Sequence, residues 1–267
     1  MASEMSLPLK RQRYVILGLL LAVAAAAWVF LIWQSVMNGQ SMGPGMNMQA
    51  PLFLVMWVVM MVAMMFPTAA PMILTFHRVQ VEKRQRGQSF VSTWVFVAAY
   101  MLVWALFGVV AFVAATGIQV VMKLSMISME MAARLGGLVL IGAGIYQLTP
   151  LKTVCLTKCQ TPLSFILTSW RDGVGGAFWM GAKHGAFCLG CCWLLFVILF
   201  PIGIMNVAAM AVITVLIFAE KALPFGKRIS QIAALALIAY GLLAVIVPST
   251  LPTYMQSSSG MQSPSGM

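Results

Sequence analysis

Seven apolar runs constrain this chain more than any other feature. By hydropathy they cover roughly residues 14–33, 52–76, 92–117, 131–149, 176–200, 204–220 and 229–248. A helix rises about 1.5 Å per residue, so a run of about 20 residues matches the roughly 30 Å hydrocarbon core of a bilayer. In lipid the backbone must satisfy its own polar groups, and such runs predict an all-α, polytopic helical bundle with about seven transmembrane helices. Composition agrees: 62% hydrophobic and 8% charged residues leave too little polar surface to coat a soluble globule of 267 residues. The first run follows Lys10, Arg11 and Arg13, as a secretory signal would. It is longer than the apolar part of such signals and no small-residue cleavage site follows Trp33, so it reads as a retained helix.

The basic residues orient the bundle. With the N-terminus in the cytoplasm, the inner segments hold Lys10, Arg11, Arg13, Arg78, Lys83, Arg84, Arg86, Lys152, Lys158, Arg171, Lys221, Lys227 and Arg228. Only Lys123 and Arg134 fall outside, and Lys183 falls in the membrane. Thirteen against two predicts a cytoplasmic N-terminus and an external, periplasmic C-terminus. The chain then divides into a cytoplasmic segment at 1–13, a single transmembrane domain at 14–248 and a flexible external tail at 249–267. The net charge of +11 lies in short clusters between apolar runs, which speaks against a nucleic-acid partner and for the lipid bilayer.

Sulfur is abundant, with 23 methionines and five cysteines. Met42, Met46 and Met48 stud the first outer loop and Met255, Met261 and Met267 the tail, where there is no core for a methionine to fill. Thioethers are soft ligands that select Cu(I), although a flexible tail also tolerates such residues without function. In the second segment Met56, Met60 and Met64 share one arc of a helix and Met61, Met65 and Met72 another. Methionine is an ordinary gap-filler in bundles, but Pro67 and Pro71 bend this segment and free carbonyls, as at the wall of a cavity.

The stretch KHGAFCLGCCWLLF, residues 183–196, places polar and thiol groups inside the fifth segment. On a helical wheel with Met180 at zero, His184, Cys188 and Cys191 fall at about 40°, 80° and 20°, and Cys192 near 120°. Residues three or four apart lie about 5–6 Å from one another, so neighbours in this stripe can share a metal. An isolated buried cysteine is ordinarily an inert small hydrophobe, but one arc carrying all of these groups favours a soft site. The stripe is expected to face the Met60/Met64 arc. Lys183 needs a partner at membrane depth, and Glu220 at the end of the sixth segment is the expected one. Cys155 and Cys159 lie on the inner, reducing side, where metal or catalytic roles outweigh a stable disulfide.

The strings MWVVMMVAMMFPTAAP, YQLTPLKTVCLTKCQTP, GAFCLGCCWLLF and MNVAAMAVITVLIFAEKALP resemble a bacterial family of integral membrane proteins known as DUF2182, predicted to bind metal and often labelled copper chaperones. The likeness runs from about Met56 to Pro224. It implies a multi-pass protein of the bacterial inner membrane, with Met60, Met64, Pro67, Pro71, Cys155, Cys159, Cys188, Cys191, Cys192, Met205, Asn206, Glu220 and Lys221 in the family's characteristic strings.

Two function classes follow. In one, a non-enzymatic Cu(I)-handling protein binds copper at Cys188, Cys191, Cys192, His184, Cys155, Cys159, Met60 and Met64, and delivers it to a membrane or periplasmic cuproenzyme. In the other, cysteine pairs exchange electrons as a thiol–disulfide carrier. A structural subunit of a larger membrane complex is a third reading, because the small-residue run GGLVLIGAG offers a close helix-packing surface. No P-loop, paired intramembrane carboxylates or serine triad supports hydrolytic or nucleotide chemistry, so the chain is not expected to be an enzyme.

Overall fold

A computed structural model describes residues 6–37, 49–203 and 206–251, with side chains from residue 11 onward. The outer methionines Met42, Met46, Met48, Met255, Met261 and Met267, together with Met205, lie outside the described residues. The described chain is helical without strands: α1 (Ser6–Met37), α2 (Ala50–Gln85), α3 (Thr93–Leu124), α4 (Met129–Gln147), α5 (Pro150–Gln160), α6 (Pro162–Ser169), α7 (Gly173–Val197), α8 (Leu199–Ile202), α9 (Val207–Ala222) and α10 (Gly226–Ile246). A short 3₁₀ turn closes it at Pro248–Thr250.

Among the described residues, six helical stretches are long and apolar enough to cross a membrane, in α1, α2, α3, α4, α7 running into α8, and α10. The protein is a polytopic membrane protein. The expected seventh crossing forms α9, which has only 16 residues. Asn206 sets its start by accepting the Ala209 amide at 3.0 Å, and the helix stops at Leu223 before Pro224. At about 1.5 Å per residue α9 spans about 24 Å, short of a full hydrocarbon core. The fifth run is also divided. Pro201 has no amide to offer the carbonyl of Val197, and α7 ends at that residue.

The chain forms two compact units, one of residues 1–30, 51–109 and 153–191, the other of residues 31–50, 110–152 and 192–267. The first is built on α2, whose buried face carries Phe53, Met56, Trp57, Met60, Met61, Met64, Met65 and Phe76. Pro67 leaves the Ala63 carbonyl without its helical donor, and the indole of Trp28 on α1 supplies one at 3.1 Å. The helix runs on through both Pro67 and Pro71. Gly181 and Gly185, one turn apart on α7, let that helix lie directly on α3. A Cβ at Gly181 would collide with the Phe96 carbonyl, and one at Gly185 would press on Val103. Trp57 crosses to the same helix, donating to the Trp104 carbonyl at 3.0 Å and lying over Gly108.

In the second unit α4 packs on α10. The run GGLVLIGAG is used here: a Cβ at Gly137 would sit 2.8 Å from the Gly241 carbonyl oxygen, and one at Gly144 2.8 Å from that of Ala234. Ser230 donates to the Gln147 carbonyl at 3.2 Å. Close to this, Lys152 Nζ donates to both carboxylate oxygens of Glu220 at 2.8 Å, and the two side chains are 1% and 2% exposed. The expected pairing of Lys183 with Glu220 is thus corrected. Lys152, counted above among the basic residues of the inner segments, is the buried partner, while Lys183 donates to Ser169 Oγ at 2.9 Å. Both charges in the pair gain hydrogen bonds as well as opposite charge, the condition for burying ions at all.

Candidate metal centre

All five cysteines are free thiols. Cys188 and Cys191 project from one side of α7, and both are buried. Cys159 approaches them from the end of α5. Its thiol is within hydrogen-bonding reach of Cys188 and of Cys191, and these two contacts, reinforced by burial, hold its pKa well above the usual thiol range. Cys155, one turn back on α5, is buried and lies beside Gly190: a Cβ there would be 2.8 Å from the Cys155 sulfur. Burial, and then the neighbouring Cys191, raise the pKa of this thiol as well. The sequence spacing C-x₃-C on α5 and C-x₂-C on α7 therefore serves one gathering of thiols.

Met65, placed by the sequence in the second methionine arc, and Tyr100, which no sequence pattern marked, complete it. The sulfur of Met65 lies 3.9 Å from that of Cys188, and the Tyr100 hydroxyl lies 3.1 Å from the same thiol. Met65 is fully buried, and Thr68 holds its main-chain carbonyl at 3.0 Å. Met60 and Met64 are buried in the same helix, and Met65, whose sulfur lies beside Cys188, belongs to the other arc. Which methionines meet α7 depends on the roll of α2 in the unit, which no pattern within α2 encodes.

His184 is buried in an aromatic box. Phe96 and Tyr100 stack on its ring at 6.0 and 5.5 Å between centroids, and Phe165 of α6 meets it obliquely at 5.6 Å. Tyr100 thus touches both His184 and Cys188 and joins the box to the thiols. Cys192 is buried too, but falls in the second unit.

The donor set decides what the centre can hold. Among the described residues no three His, Cys, Asp or Glu side chains are arranged to hold one metal ion together, so a closed tetrahedral zinc cage is not preformed. Two thiols with a third beside them and a thioether at 3.9 Å offer soft donors in low number. Thiols and thioethers are soft donors, suited to soft metal ions rather than hard ones.

The family model PpoB2, described as copper chaperone, matches residues 54–244. The match spans α2 to α10 and includes every residue of the thiol cluster. It agrees with the resemblance drawn from the sequence strings. No curated protein and no solved structure matches the chain.

Proposed function

The chain belongs to the copper chaperone family PpoB2, and from that premise we propose that it binds Cu(I) through two thiols at a time among Cys188, Cys191 and Cys159, with Met65 as thioether donor. The single observation that carries this reading is the meeting of thiols from α5 and α7 with a methionine sulfur from α2. Thiols give up their protons on binding, so loading exchanges protons for copper, and the neutral thiols rest in an apolar interior until that exchange. Cys155 extends the thiol path along α5, and Tyr100 steadies the Cys188 sulfur. In this reading the N-terminus is cytoplasmic, the protein resides in the bacterial inner membrane, and the outer methionines collect the ion. The recipient is a membrane or periplasmic cuproenzyme.

The test is copper content of the full chain purified under anaerobic, reducing conditions. Wild type retains Cu(I) with sulfur ligation, and Cys188→Ser with Cys191→Ser abolishes tight retention while the protein stays folded. Unchanged copper in the double variant overturns the assignment. The contact of Cys159 with two thiols of another helix also favours the thiol–disulfide carrier as second reading. It predicts a reversible disulfide of defined potential between Cys159 and either α7 cysteine in protein that holds no copper.

A further inference from the structure

A second polar site lies away from the thiols, between α1 and the polar end of α2. Two adjoining cavities of about 410 and 420 Å³ share Gln12 and His77 as walls. Arg11, Val15 and Ile16 border one, and Val81, Arg84, Gln85 and Phe90 the other. Among the described residues, no acidic side chain lines either. Other basic residues of the same stretch are already engaged: Arg78 pairs with Glu82, and Lys83 with Asp172. Arg11 and Arg84 make no ion pair among the described residues; Arg84 lies over the Phe90 ring, its guanidinium carbon 5.3 Å from the centroid.

His77 adds a donor. Its Nδ1 lies 3.0 Å from the Thr93 hydroxyl, while Nε2 is buried with no hydrogen-bond partner among the described residues. When Thr93 donates to Nδ1, the proton sits on Nε2 and calls for an acceptor oxygen.

We propose that this groove binds the phosphodiester headgroup of an anionic phospholipid. Two guanidinium groups, two amides and an imidazole N–H supply donors for phosphate oxygens, and Arg suits phosphate because its planar fork donates two parallel bonds. The apolar residues select lipid over free phosphate. Val15 and Ile16 lead from the basic rim onto the α1 face that also exposes Leu19 and Val23, a surface for acyl carbons beside the headgroup. Basic pockets between transmembrane helices recognise anionic headgroups by this combination. The proposal is independent of the copper reading, since none of its residues touches the thiol cluster.

The experiment is native mass spectrometry of the delipidated full chain with added phosphatidylglycerol, phosphatidylcholine or inorganic phosphate. Phosphatidylglycerol is expected to bind at least ten-fold more tightly than phosphatidylcholine, which carries the same phosphate but no net charge. Arg11→Gln with Arg84→Gln should remove that preference. Both arginines are exposed, so the fold is retained. Arg13→Gln with Arg86→Gln removes the same net charge outside the groove and should leave it intact, and His77→Gln should weaken binding several-fold. Equal binding of the two lipids, equal loss in both double variants, or displacement of phosphatidylglycerol by millimolar inorganic phosphate would overturn the proposal.

Discussion

Two regions of this molecule bury polar chemistry, and they do so in opposite ways. In the first unit, thiols and a thioether are neutral groups that tolerate an apolar interior with few partners. In the second, Lys152 and Glu220 are full charges that persist there because each satisfies the other at 2.8 Å. A self-satisfied pair has nothing left to offer a ligand. A cluster of neutral thiols does, because it acquires charge and strong donor character only when a cation arrives to displace its protons. Burial alone therefore does not mark a functional site; the capacity to change state does.

The contrast is broken most severely by removing one charge. Glu220→Gln should leave the Lys152 ammonium buried without its counter-charge and cost about 3–5 kcal/mol of stability, read as early thermal unfolding in detergent. Replacing both partners, Lys152→Met with Glu220→Leu, should recover most of that loss. In the thiol region the same logic reverses: Cys188→Ser with Cys191→Ser should shift thermal unfolding little while copper affinity falls at least about 100-fold, some 2.7 kcal/mol. A large stability loss there would mean that the cysteines are core residues first. Met65→Leu sharpens the point, since it keeps the volume and should weaken Cu(I) binding about ten-fold, whereas Met64→Leu should leave affinity unchanged. Equal effects at the two positions would remove Met65 from the centre. The smallest effect is expected for Tyr100→Phe. Losing one hydrogen bond to Cys188, worth about 1 kcal/mol, should change copper affinity about five-fold and leave the fold intact.

Much of this architecture was legible in the sequence, because hydrophobic runs and helical periodicity are properties of single segments. The helices, the α7 cysteine stripe and the close-packing glycines of α4 all belong to that class. What escaped were relations between segments. Lys183 seemed the natural partner of Glu220 by depth along the helices, yet the carboxylate is met by Lys152 from the first turn of α5, and Ser169 holds Lys183. Met65 and Tyr100 carried no distinguishing signal, since one buried methionine or tyrosine reads like another until the roll of each helix is known. The shortened α9 could be foreseen in part, because Asn206 and Pro224 bracket it as cap and stop.

The bond from Trp28 to the Ala63 carbonyl bears on how the first two helices depend on each other. With Pro67 in place, α2 cannot complete its own backbone, and a bare carbonyl in hydrocarbon costs several kcal/mol on an order-of-magnitude basis. The second helix is therefore not self-sufficient. It reaches its stable state with the first helix beside it, so the backbone of one helix is completed by a side chain of another, and the two form a single unit of stability in the membrane.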